Sequence, residues 1–221
     1  MNKKYYVFQM NSLMLNLGSF VLLGIIGLIT ILLKSNITIT TDDLMWTTLL
    51  MVPYLCFHEV LHSIGYMLHG AKFKNITYGA HIEKGVLCCL CKQNVSKKCI
   101  LISLLYPFVF IGIITYIIGM ILNINILIFL SIVNISGCTG DLLMFFSFVG
   151  LKDFEYSEFD DPTSFGLYSS IDYSKKKFFG LNYIKETDEL EKNDFKKVTI
   201  SKTSIIMFVF LIALSLINLF L

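Results

Sequence analysis

Cys56-Phe57-His58-Glu59-Val60-Leu61-His62 is the stretch from which the rest of this chain is read. It lies inside an apolar run from Leu44 to about Leu68, long enough to cross a bilayer core as one helix of ~20 residues or more. Residues four apart share a helical face. His58 and His62 can therefore grip one Zn2+, while the glutamate between them acts on water held at the metal. An ionisable side chain within a membrane span is costly and marks a functional site whose partner has to be found.

The composition agrees with a membrane setting. Of 221 residues, 55% are hydrophobic and 15% charged, and the mean hydropathy is +0.71. Soluble domains carry more charge and less apolar surface. The fold class expected is an all-α membrane protein of about five transmembrane helices with a small cytoplasmic-side β-hairpin. A net charge of +2 gives no footprint for nucleic acid. Every basic residue is a lysine.

Working outward from the box, residues 1–43 read as a tail, a first span and an outer loop. Lys3 and Lys4 with Tyr5, Tyr6 and Phe8 suit a short cytoplasmic tail with interfacial aromatics. Leu13 to Leu33 is the first span, in which Gly18, Gly24 and Gly27 can let another helix approach. Leu44 to Leu68 is the second, with Pro53 a candidate kink just before the box. Ala71 to Cys99 is polar and β-like, a hairpin turning at Glu83-Lys84-Gly85; its edge can pair with an extended substrate. Ile100 to Leu122 and Ile126 to Val149 form the third and fourth spans, joined by Asn123-Ile124-Asn125. Residues 151–203 read as a charged cytoplasmic loop and residues 204–221 as a last span. Lys34 alone falls outside if the N-terminus is inside, so the lysines predict an N-in, multi-pass topology.

Apart from the box, the spans hold one acid, Asp141. His62 and Asp141 lie at similar depth below the inner surface, roughly 10–12 Å at ~1.5 Å per residue. Two antiparallel helices then bring His58, His62 and Asp141 to one level. Two histidines and a carboxylate leave a fourth zinc position open, the catalytic pattern. The other reading of Asp141 is a packing acid bonded to a neighbouring hydroxyl. His69 falls one residue late for the third histidine of the extended metzincin motif, and His81 sits in the hairpin. Cys88, Cys89, Cys91 and Cys99 cluster without the paired C-x-x-C spacing of a zinc ribbon. Cys56 and Cys138 read as small membrane residues.

The box in one span, Tyr106-Pro107 in the next, and Asn134-x-Ser136-x-x-Gly140-Asp141 in the third together resemble the zincin peptidase family of small bacterial membrane proteins. That family is similar in outline to the site-2-protease intramembrane metalloproteases. The resemblance runs from about Val52 to Gly150, within a metalloprotease-like core at residues 44–150 that includes the hairpin at 71–99. It implies zinc on His58, His62 and Asp141, Glu59 as catalytic base, and Asn134 holding the substrate backbone or oxyanion. It also implies a bacterial cytoplasmic membrane and a membrane protein or peptide as substrate. The chain departs from the site-2-protease pattern in lacking proline after Asn134 and in the order Gly140-Asp141. A divalent-metal transporter and a non-catalytic zinc-binding membrane partner, such as an immunity-type protein, are the rival readings.

Overall fold

The computed structural model describes residues 4–34, 38, 40–81, 86–152, 154–158, 164–178 and 180–187. The expected fifth span at 204–221, the part of the expected loop beyond 187 and the hairpin turn at 83–85 lie outside the described residues.

Helices dominate. α1 (Ser12–Leu33) starts where Asn11 Oδ1 accepts from the amides of Leu13 and Met14, at 3.0 and 3.2 Å. α2 (Thr41–Leu68) opens on a capping box between Thr40 and Asp43. α3 (Lys97–Pro107) is capped by Ser96 and runs on through a π-helical stretch, Phe108–Ile114, into α4 (Thr115–Leu122). Asn123 adopts a left-handed conformation, φ 58°, and makes the tight connection to α5 (Asn125–Gly137). α6 (Thr139–Val149) follows after Cys138. Three helical stretches are long and apolar enough to cross a membrane: Leu13–Leu33, Thr41–Leu68 and Lys97–Leu122. α5 and α6 reach that length only together and are bent by 48°. Their outward faces carry large apolar side chains such as Phe20, Leu32, Phe110 and Phe146, as surfaces solvated by lipid do.

The all-α expectation is overturned. β4-β5-β6-β1-β7 form a five-stranded antiparallel sheet, with β1 Lys4–Met10, β4 Val95–Ser96, β5 Glu155–Glu158, β6 Ser164–Ser169 and β7 Leu181–Thr187. The segment expected to be an N-terminal tail is its inner strand. Tyr5, Tyr6, Val7 and Phe8 are all buried, because β1 has a strand on each edge and packing on both faces. One face packs Phe8 on Phe165 (5.9 Å, stacked), and Phe148 from α6 meets Phe165 edge-on at 5.2 Å. On the other, the Tyr5 ring covers Gly166, where an added Cβ would lie 1.9 Å from it. The expected hairpin is present as β2 (Ile76–His81) and β3 (Val86–Cys91), antiparallel with Ile76 opposite Cys91.

The five-stranded sheet lies at the end of the bundle where α1 and α3 begin and α2 and α6 end, and the β2–β3 hairpin folds back along α2. A buried hydrophobic cluster sits there, joining Tyr6 and Phe8 to Tyr66, Ile100, Phe148 and Leu167. Lys97 ties that end together. Its Nζ donates to the carbonyls of Val149 and Leu151 at 2.8 and 2.6 Å, satisfying groups that the end of α6 leaves open.

Candidate metal centre

The i, i+4 spacing on α2 sets His58 and His62 edge to face, with ring centroids 4.8 Å apart. Each ring is then fixed from behind. His62 Nδ1 donates to the Ser103 carbonyl at 2.9 Å, and Ser103 Oγ returns a bond to the His62 carbonyl at 2.8 Å. α3 comes this close because position 65 is glycine: a Cβ there would meet Ser103 Cα at 2.6 Å. His58 Nδ1 lies 2.8 Å from Asn134 Oδ1 on α5. The Asn134 amide nitrogen donates to the Pro107 carbonyl at 3.2 Å, which fixes its oxygen as the acceptor facing His58. With both Nδ1 atoms donating, each unprotonated ring turns an Nε2 lone pair inward.

Asp141 completes the cluster by a route the straight-helix expectation did not contain. The break at Cys138 starts a new helix, and Asp141 falls in its first turn. A carboxylate is favoured there by the free amides and the helix dipole. The bend is stitched by Cys138 N–H to the Asn134 carbonyl at 2.9 Å and Thr139 Oγ1 to the Ser136 carbonyl at 2.7 Å. α1 supports it from outside: Ser19 Oγ donates to Thr139 Oγ1 at 3.1 Å, and Gly18 leaves room for the Thr139 methyl. Gly24 and Gly27, also read as approach points, face open space.

His58 Nε2 and His62 Nε2 are 3.1 Å apart, and Asp141 Oδ2 lies 3.4 and 3.5 Å from them. Two lone pairs and a carboxylate this close repel unless a cation lies among them. Ligands at ~2.0–2.1 Å from a tetrahedral zinc stand about 3.3–3.4 Å from one another, and the observed edges bracket that value. The residues fit the metal. Among the described residues this is the one group of three or more His, Cys, Asp or Glu close enough to share an ion.

Glu59 is part-buried beside the trio, near enough to interact with His58, His62 and Asp141, and hydrogen-bonds with the Cys89 backbone of β3. Tyr78 of β2 donates to Ser63 Oγ at 2.7 Å, a second tie between hairpin and α2. His69 closes α2 and bonds the Gly65 carbonyl through Nδ1 at 3.0 Å, away from the cluster. Cys88, Cys89, Cys91 and Cys99 are buried thiols outside any disulfide, as is Cys138 next to Asn134; Cys56 faces outward. Asn134 is 1% exposed, with its oxygen and its nitrogen both engaged. Sequence reading missed the backbone groups: the carbonyls of Ser103 and Pro107 and the Cys89 amide carry no residue-type signal. Gly65, just under one helical turn beyond His62, was the visible trace of the α2–α3 contact.

Two histidines and a carboxylate are a donor set that leaves a fourth zinc position open, and a glutamate stands beside them. Residues 49–152, which contain the whole cluster, match the family described as "Putative zincin peptidase". No curated protein and no solved structure matches the chain.

Proposed function

We propose that this chain is a zinc-dependent metallopeptidase that hydrolyses peptide bonds of membrane-associated substrates, within the bilayer or at its inner face. The observation that carries the reading is the triangle of His58 Nε2, His62 Nε2 and Asp141 Oδ2, with both histidine rings fixed from behind. Zinc bound there supplies Lewis-acid chemistry, acidifying water and polarising a carbonyl. Glu59, one residue after His58, takes the proton of the attacking water and returns it to the leaving amine. Its contact with the Cys89 backbone keeps the carboxylate on the side of the hairpin. A substrate helix has to unwind to expose a carbonyl, and the hairpin, an extended element beside Glu59, is suited to receive the unwound segment by strand pairing.

The setting we propose is the bacterial cytoplasmic membrane with the N-terminus inside. Lys4, Lys72, Lys74, Lys92, Lys97, Lys98 and Lys152 belong to the strand-bearing end, and Lys34 to the opposite end of α1. That asymmetry follows the positive-inside rule.

Glu59→Gln tests the reading. Purified protein is expected to keep one equivalent of zinc and to lose hydrolysis of a membrane-inserted model substrate. Unchanged cleavage by that variant would refute the mechanism. Zinc without hydrolysis by the wild type would return the non-catalytic reading, and metal uptake into proteoliposomes the transporter.

A further inference from the structure

We infer that Asn134 is a positioning residue for His58 and that the π-helical turn after Pro107 exists to hold it. The inference rests on the metallopeptidase reading and adds to it the part of the fold that aims a ligand. A group awaiting a substrate oxyanion needs a free donor, and Asn134 has none. Its amide nitrogen is given to the Pro107 carbonyl at 3.2 Å and approaches Cys138 Sγ at 3.6 Å, and its oxygen receives His58 Nδ1 at 2.8 Å.

The Pro107 carbonyl takes this side-chain donor at the point where the helix changes register. α3 ends at Pro107 and the next seven residues, Phe108–Ile114, are π-helical. A π turn widens the helix and shifts the carbonyl ladder, and such turns gather at functional sites. The Ile111 carbonyl within it also accepts side-chain donors, from Tyr54 and from Thr115 (2.6 Å). Gly112 lets α5 reach this surface: a Cβ there would meet Ile135 Cγ1 at 2.9 Å and Asn134 Nδ2 at 3.4 Å. Tyr54 lies one turn before His58 on α2, so the π turn is tied to the ligand helix directly and, through Asn134, to the ligand itself. Partners of this kind fix the tautomer and ring angle of a metal-binding histidine, and their loss weakens metal binding about 10–100-fold.

The test combines zinc competition against a chromophoric chelator with 15N NMR of histidine-labelled protein, tractable because the chain has four histidines. Asn134→Leu is expected to weaken zinc binding about 10–100-fold and to remove the Nδ1–H signal of His58 while that of His62 persists. Asn134→Asp keeps an oxygen facing His58 and is expected to retain the signal. Gly112→Ala, which touches no ligand, is expected to weaken zinc binding in the same direction. Wild-type zinc affinity in Asn134→Leu, or an unaltered His58 signal, overturns the inference. Should Asn134→Leu not fold, Gly112→Ala with wild-type affinity and an unmoved His58 signal does so. A wild type that binds no zinc refutes the metallopeptidase reading instead, and the His58 signal of the metal-free protein still reports on Asn134.

Discussion

Gly65→Ala alters no ligand and no polar side chain of the proposed centre, yet it should weaken zinc binding. The new Cβ would stand 2.6 Å from Ser103 Cα, a backbone atom that cannot swing aside. Ordinary carbon contacts are ~3.5–4.0 Å, so α2 and α3 must part by about 1 Å. The His62 Nδ1–Ser103 carbonyl bond, now 2.9 Å, then passes the limit of hydrogen bonding, and the Ser103 Oγ–His62 carbonyl bond at 2.8 Å goes with it. Overpacking costs about 1–3 kcal/mol and each lost bond about 1 kcal/mol, against a helix-propensity gain of up to ~1 kcal/mol for alanine. The net loss is on the order of 2–4 kcal/mol, with zinc affinity down about 10–100-fold as His62 loses its partner. Thermal unfolding in detergent and chelator competition measure the two effects. Gly24→Ala and Gly27→Ala meet nothing within 4 Å and serve as controls, with unchanged affinity and stability within about 0.5 kcal/mol. If Gly65→Ala binds zinc as tightly as those controls, the link between α2–α3 packing and the metal centre is wrong.

Three further outcomes are expected. Metal analysis of purified His58→Ala and Asp141→Ala should show both without zinc; metal retained by Asp141→Ala alone would reduce the site to two ligands. Gly166→Val, which drives a side chain into the Tyr5 ring, should destabilise the sheet by at least ~1–3 kcal/mol, read as faster limited proteolysis of the strand-bearing end. In intact cells a membrane-impermeant thiol reagent should label Lys34→Cys, while Lys175→Cys should react only after permeabilisation, each in a background lacking the exposed Cys56; the opposite pattern would invert the proposed topology.

The proposed centre was more legible in the sequence than its surroundings. His58, Glu59 and His62 announce themselves by spacing, and Asp141 by being the remaining acid in the spans. What the spacing could not show is how Asp141 arrives, because a straight helix and one broken at Cys138 have the same hydropathy. Gly137-Cys138-Thr139-Gly140 held the hint, since small and hydroxylated residues are where helices bend. The sheet was hidden for a different reason. Tyr5 to Phe8 is a short apolar run that serves an interfacial belt as well as a strand. Its partners, Ser164–Ser169 and Leu181–Thr187, lie among mixed charges far along the chain. Pairing over such a distance leaves no local periodicity to read. The hairpin was visible because β2 and β3 are neighbours in sequence.

The place of β1 in its sheet bears on how the protein is made. Tyr5 to Phe8 leave the ribosome before the helices, yet their neighbours on either edge, β6 and β7, are synthesised only after α1 to α6. Until then an apolar strand with two bare edges waits beside the nascent bundle, the kind of segment that pairs with whatever strand it meets. Closing so long a loop is slow, so assembly should proceed in two stages, helices first and sheet last. α2 and α6, which carry the proposed ligands, would thus come together before the clasp over their ends is fastened, and a chain truncated before β7 should be a substrate for quality-control proteases even with His58, His62 and Asp141 intact.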